Sequence, residues 1–267
     1  MKRIQLFEFE DQPWFPGWLR TSLTNLIVVF NRMIGIDKVI ASQLSDILRQ
    51  KAITNIVDLG SGAGGAMPDV LNQIRQEKGL ENTKLLMTDL FPNQDALKRF
   101  NENGLDYLSF HQTPVDATDL ARAPQGIKTM VNCFHHMPPE KARNILVSAM
   151  ESKQPLLVYE MGDNNIPLAV WWLFLPLSLV ILFIMVLFMT PFVRPLSLRQ
   201  VVFTYLIPLI PITYAWDGQA SLPRIYTLND LDELLDGLNK VGYTWEKGYG
   251  KNAKGKKQGI FLLGLPD

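Results

Sequence analysis

The chain is nearly devoid of cysteine: one residue, Cys133, among 267. That excludes an intramolecular disulfide and any cysteine-rich zinc site. It leaves the chain compatible with a reducing compartment. There is no excess of either charge, since 26 Lys and Arg balance 26 Asp and Glu. A dedicated nucleic-acid binder carries a basic surplus, so no nucleic-acid partner is expected. A hydrophobic content of 47% excludes disorder for most of the chain. The charged fraction, 19%, is too high for a polytopic membrane protein. No internal repeat is visible. The basic start, Met1–Arg3, has no apolar run behind it and is not a secretory signal. No spacing of His, Cys, Asp and Glu reads as a metal-ligand set, and no metal is expected.

Charge is also absent locally. Between Asp163 and Arg194 there is no Asp, Glu, Lys or Arg. The run Ile166–Met189 is long enough for a bilayer core, which takes roughly 20 helical residues. A second uncharged stretch, Gln200–Trp216, carries Pro208 and Pro211. Two membrane topologies follow. The length of the first segment favours a spanning two-helix hairpin. The second reaches only roughly 25 Å at 1.5 Å per residue, and its prolines interrupt a helical ladder. A spanning hairpin would also strand Arg194 and Arg199 away from the cytoplasmic side that short basic loops prefer. Those points favour a re-entrant or in-plane anchor. A third reading buries the segment in the domain or in a dimer interface.

Elsewhere strand and helix signals alternate. Ile53–Leu59, Lys84–Leu90, Tyr107–Gln112, Ile127–Cys133 and Pro155–Met161 read as strands. Met67–Gln76, Asn93–Asn103 and a helix opened by Pro138 and Pro139 lie between them. After the apolar region, Leu228–Val241 is amphipathic, with Thr227 or Asn229 as its N-cap. Tyr243–Tyr249 and Gln258–Leu263 close the chain as a hairpin. The pattern implies a parallel α/β sheet with helices on both faces and one antiparallel strand at the end.

The richest motif follows the first strand: Asp58-Leu59-Gly60-Ser61-Gly62-Ala63-Gly64-Gly65. Glycines let a chain turn sharply and let a ligand approach its backbone. Gly60, Gly62 and Gly65 fit the dinucleotide fingerprint. However, Asp58, two residues ahead of the first glycine, would repel a pyrophosphate. A carboxylate there suits a cationic ligand, such as the ammonium and sulfonium of S-adenosylmethionine.

Asp58–Gly64 resembles motif I of the class I S-adenosylmethionine-dependent methyltransferases. Asp89, followed by Leu90, matches the acidic residue that binds the ribose hydroxyls in that family. Val115–Leu120 resembles the next motif, in which an acidic side chain (Asp116 here) and the following backbone at Ala117 meet the adenine. Met130–Met137, containing Asn132, His135 and His136, resembles the segment bordering the methyl group. Tyr226–Leu231 and the terminal hairpin resemble the closing helix and strands. The likeness covers about residues 45–163 and 217–267. Read without it, Asp89 caps a loop, Asp116 forms a turn, Cys133 is a small core residue and Glu160 a structural carboxylate.

The resemblance implies a Rossmann-like doubly wound sheet of seven strands, the last antiparallel, with an apolar helical hairpin inserted after the fifth strand. It implies four regions: a helical cap over 1–45, a first core part over 46–163, the apolar insertion over 164–216 and a closing core part over 217–267. It implies S-adenosylmethionine as cofactor, bound by Asp58, Gly60, Ser61, Gly62, Gly64, Asp89, Leu90, Asp116, Ala117 and Asn132. His135, His136 and Glu160 are the catalytic candidates. Because the apolar insertion leaves the fifth strand beside the site, a membrane-associated enzyme acting on a lipophilic small molecule from the cytoplasmic side is expected. A soluble dimer and a non-catalytic membrane protein of the same fold are the alternatives.

Overall fold

The computed structural model describes residues 1–102, 104–238 and 241–267. In chain order the elements are α1 (Gly17–Ile34), α2 (Ile36–Lys51), β1 (Asn55–Leu59), α3 (Met67–Ile74), β2 (Lys84–Thr88), α4 (Gln94–Asn101), β3 (Leu108–Phe110), β4 (Ile127–Val131), α5 (Pro139–Glu151), β5 (Leu156–Glu160), α6 (Leu168–Met189), α7 (Leu198–Tyr205), α8 (Leu209–Arg224), α9 (Leu228–Leu235), β6 (Tyr243–Lys251) and β7 (Lys257–Pro266).

The strands form one sheet in the order β3-β2-β1-β4-β5-β7-β6. The pairs among β1 to β5 are parallel, and β7 runs antiparallel to both β5 and β6. The inner strands are short apolar runs, as a sheet covered on both faces requires. On one face α2, α3 and α4 build a core from residues such as Ile40, Leu44, Val70, Leu71 and Phe100. On the other, α5 and α9 contribute Ile145, Leu146, Leu231 and Leu234. Strand order reverses between β1 and β4, and a doubly wound sheet opens its ligand crevice outside the carboxyl ends at that point.

The element ends have local causes. Asn93 is the N-cap of α4 rather than part of it, accepting the Ala96 N–H at 3.0 Å. The expected end at Asn103 lies outside the described residues. Thr227 caps α9 through a capping box with Asp230. The helix stops at Leu235, short of the expected Val241, and Gly237 follows in the left-handed region at φ 70°. Asn239 and Lys240 lie outside the described residues.

A third core joins Phe15, Leu19, Leu23, Leu26 and Val29 at and in α1 to Val186 and Met189 of α6 and to Ile210 and Tyr214 of α8. Helix α6 packs along α8 as a hairpin. The second uncharged stretch is not one segment: α7 and α8 meet at a bend of 80°, with Pro208 preceding α8. Helix α8 runs on past Trp216 through Asp217 to Arg224, both buried.

Among the described residues α6 is the one unbroken helix long and apolar enough to cross a membrane, yet only 22% of its most apolar window is buried. Trp171, Leu175, Val186 and Met189 face inward at helical spacing. Leu173, Leu177 and Phe188 are 73%, 58% and 72% exposed. Both ends of α6 touch the body of the protein. Trp171 and Leu168 share a cleft with Lys2, Ile4 and Pro223, and Arg194, just beyond the other end, shares one with Gly64 and Arg99. The helix therefore lies across the molecule rather than projecting from it.

Candidate active site

The turn after β1 is built by glycines at φ 68° (Gly60), 54° (Gly62) and 114° (Gly64). A Cβ on Gly60 would lie 3.3 Å from the Cys133 sulfur, and one on Gly64 would meet the Phe100 ring at 2.7 Å. The turn is thus pressed between the exit of β4 and helix α4, and at Gly64 no larger residue fits. Asp58 is buried beneath it. Its carboxylate accepts from the Ser61 hydroxyl at 2.6 Å and the Thr129 hydroxyl at 2.7 Å. Burial outweighs those bonds and pushes its pKa up to about 7.

Asp89 stands at the end of β2 and reaches back to the turn. Its Oδ2 accepts the Gly62 N–H at 2.9 Å and its Oδ1 the Phe91 N–H at 2.8 Å. Burial raises its pKa against those bonds. Leu90 beside it is 43% exposed. The next loop is tied to the same residue, since the Val115 N–H donates to the Asp89 carbonyl at 3.0 Å. Asp116 is exposed and forms a turn, accepting the Thr118 N–H at 2.8 Å, with Ala117 half-buried next to it. Asn132, just past β4, holds φ 55°, and its side-chain oxygen accepts the Met161 N–H at 2.8 Å. The residues singled out for the cofactor thus lie past the carboxyl ends of β1, β2 and β4, with Asp116 and Ala117 in the loop after β3 that is tied to Asp89.

The two histidines part company. His135 and Glu160 are both buried, at 5% and 6% exposure. Glu160 accepts the His135 backbone N–H at 2.9 Å, and its second oxygen faces ring Nδ1 at 2.8 Å. An ionised carboxylate only accepts, so opposite Glu160 it is ring Nδ1 that donates. Ring Nε2 is buried and has no hydrogen-bond partner among the described residues.

His136 turns to the N-terminal segment instead. Its Nδ1 lies 2.8 Å from Asp11 and 3.1 Å from Glu8. Burial alone would lower its pKa, but bonds to Asp11 and Glu8 and the charges of Glu8 and Glu10 lift it well above the ordinary value. Asp11 is held down to about 2: burial opposes this, and the His136 and Arg224 cations outweigh it. Arg224, fully buried in α8, lies 2.7 Å from Glu8 and 2.6 Å from Asp11. Asp217 accepts the Phe9 and Glu10 N–H groups at 2.8 and 3.1 Å. The aromatic N-terminal segment is therefore a strap pinned across the histidines by charge. Glu8, Asp11, Asp217 and Arg224 are site neighbours that sequence reasoning missed. The acidic run inside the aromatic segment was the available signal. Glu8, His135 and His136 each bring one ligand-type atom within 4.8 Å of the others. The Glu8 carboxylate in that group is already compensated by Arg224 and His136.

No protein-family model and no curated protein sequence matches this chain. Solved structures do. The plantazolicin methyltransferase BpumL, in complex with a monoazolic desmethylPZN analog and SAH, superposes over 94% of this chain and 89% of its own, with a TM-score of 0.51 at 12% identity. The fold is the class I methyltransferase fold. Two further solved methyltransferases are similar at lower scores. The O-methyltransferase NcsB1 from neocarzinostatin biosynthesis has a TM-score of 0.44 at 14% identity, over 85% of this chain and 57% of that one. The mitomycin 7-O-methyltransferase MmcR has 0.46 at 15%, over 89% and 56%. The region just described includes the switch point between the paired strands β1 and β4, where strand order reverses and a doubly wound sheet opens its ligand crevice.

Proposed function

We propose that this chain is an S-adenosylmethionine-dependent methyltransferase acting on a lipophilic small molecule at a membrane surface. The observation that carries the methyltransferase reading is the bond between the Asp89 carboxylate and the Gly62 N–H, which joins the glycine turn to an acidic residue at the end of the neighbouring strand. The residues fit the cofactor. The positive-φ turn admits a ligand close to the backbone, buried Asp58 would complement a cation, and Asp89, beside the turn, would accept the ribose hydroxyls with its remaining lone pairs. Asp116 and Ala117 would border the base, and Asn132 the methyl group.

When bound, the cofactor supplies a methyl group already activated on a sulfonium. What remains for the chain is positioning and proton management. Nε2 of His135 is the proton acceptor for a hydroxyl or phenol nucleophile. Glu160 fixes its tautomer and stabilises the imidazolium once the proton arrives. His136 holds the strap that keeps water from the site.

The membrane reading is supported by the exposed apolar face of α6. Its two ends, both against the body of the protein, favour an in-plane anchor over a spanning hairpin. Mass spectrometry of lipid extract incubated with the protein and methyl-labelled cofactor tests the activity. Label appearing in an apolar extractable product supports it, and no transfer under any extract overturns it. Fractionation tests the location. Recovery of the full chain in the cytosol without detergent, as a stable dimer, would assign the apolar face to a second copy instead.

A further inference from the structure

Three arginines from three separate elements line one cleft on the outer side of the glycine turn: Arg32 near the end of α1, Arg99 in α4, and Arg194 in the linker after α6. The cleft is open to solvent on one side and is lined in part by Gly64 and Gly65. In the lining one carboxylate, Asp69, faces the three cations, and it is committed to Arg32 through contacts of 2.5 and 2.9 Å, while the charge of Asp37 also acts on Arg32 from outside the cleft. Arg194 donates to the Pro191 and Val193 carbonyls at 2.8 Å. Arg99 stacks on Phe100 at 4.9 Å. Burial, then the neighbouring charge of Arg32, lowers the Arg99 pKa, so the positive charges crowd one another. The cleft thus carries three guanidinium charges against one carboxylate.

Its position is as informative as its charge. Arg194 sits between Phe192, 64% exposed, and Leu198, 78% exposed, at the end of the apolar face of α6. Arg32 is followed by Met33, 64% exposed. Guanidiniums fringing an exposed apolar surface stand at the depth where an interfacial protein meets headgroups. The guanidinium fork matches phosphate oxygens two at a time.

We infer that this cleft takes the phosphate of an anionic phospholipid headgroup, so that the protein prefers acidic membranes to neutral ones. The inference rests on the membrane reading above and adds lipid selectivity to it. Each basic side chain at an acidic surface strengthens binding about fivefold. Two net charges therefore predict a preference of about 25-fold.

Flotation of the full chain with vesicles of phosphatidylcholine alone, or of phosphatidylcholine mixed with phosphatidylglycerol, separates the two ideas. Binding to neither kind overturns the membrane reading itself. Equal binding to both keeps that reading and overturns the lipid-phosphate site. The expected result is binding to both with a clear preference for phosphatidylglycerol. R32Q/R99Q/R194Q should lose that preference and keep phosphatidylcholine binding. K254Q/K256Q, in the exposed turn between β6 and β7, should keep it. Where the triple variant melts early, R194Q alone carries the test and should cut the preference about fivefold, since among the described residues the Arg194 guanidinium donates to carbonyls of its own linker. An uncut preference then counts as surviving. A preference that survives in the arginine variants, or that inorganic phosphate reproduces as a melting shift without vesicles, assigns the selectivity elsewhere or the cleft to free phosphate, and overturns the inference.

Discussion

Glu160 grips His135 at two points, taking its backbone N–H at 2.9 Å with one oxygen and facing ring Nδ1 at 2.8 Å with the other. The first contact fixes where the residue sits, the second which nitrogen carries the proton. Together they leave one buried ring nitrogen, Nε2, without a hydrogen-bond partner among the described residues, just past the carboxyl end of β4.

Glu160→Gln preserves the size of that partner and offers an amide N–H to Nδ1. The imidazole then adopts the other tautomer, with its proton on Nε2, and ceases to be a base. The turnover number should fall about 10²- to 10⁴-fold, the range general base catalysis supplies, while cofactor affinity stays within about threefold of the native value. Combining it with His135→Ala should add little further loss, because the two act as one unit. A turnover number within twofold of native in Glu160→Gln would remove the dyad from the chemistry.

Asp89→Ala should weaken cofactor binding tenfold or more. Each lost charge-assisted bond is worth about 1.5–3 kcal/mol, and the Gly62 N–H loses its acceptor as well. Isothermal calorimetry with S-adenosylmethionine measures it. Asp89→Asn, which retains one acceptor oxygen, should fall between the two. Unchanged affinity in the alanine variant takes Asp89 out of the site.

Much of this was legible in the sequence because it is local. The Asp58–Gly65 turn and the seven strands declare themselves through short local patterns, and the apolar insertion through a contiguous run without charge. The strap did not, because its logic is long-range: the acidic run around Glu8 is visible, but its partner Arg224 lies 216 positions away and nothing beside Arg224 marks it. The split between His135 and His136 was hidden for the same reason, since adjacent residues diverge only once Glu160 and Asp11 arrive from elsewhere. Placement of α6 needed tertiary structure too. Its sequence is apolar all round, so no periodicity reveals that one face packs inward and the rest stays bare.

Asp58 titrates at about 7 in the folded chain against 3.8 for an ordinary aspartate. Between those values the folded state holds a proton that the unfolded state releases. The contribution of Asp58 to stability is therefore full below 3.8 and lost as pH rises through about 7. The melting temperature of cofactor-free protein should fall less steeply with rising pH in Asp58→Asn than in the native chain. A cationic ligand favours the carboxylate, so cofactor affinity should rise with pH over the same interval in native protein and stay flat in the variant. Parallel stability and affinity profiles for the two proteins would show that Asp58 is not titrating there.

The strap gives a double-mutant cycle. Glu8 and Arg224 are both fully buried and lie 2.7 Å apart. Removing the guanidinium alone, in Arg224→Met, leaves the Glu8 carboxylate in the interior with His136 and the Ser221 hydroxyl beside it but without its buried cation, a situation that costs about 3–5 kcal/mol. Glu8→Gln alone should cost less, because Arg224 keeps Asp11 at 2.6 Å. In the double variant no charge is stranded at either position, and much of the loss in Arg224→Met should be regained. Urea unfolding reads the energies, and limited proteolysis reads the strap: cleavage within residues 1–16 should quicken in Arg224→Met and slow again in the double variant. If the two substitutions add independently, the pair is not what pins the strap. The Asp217 contacts to the Phe9 and Glu10 N–H groups would then be its main attachment, and Asp217→Asn becomes the variant in which cleavage quickens.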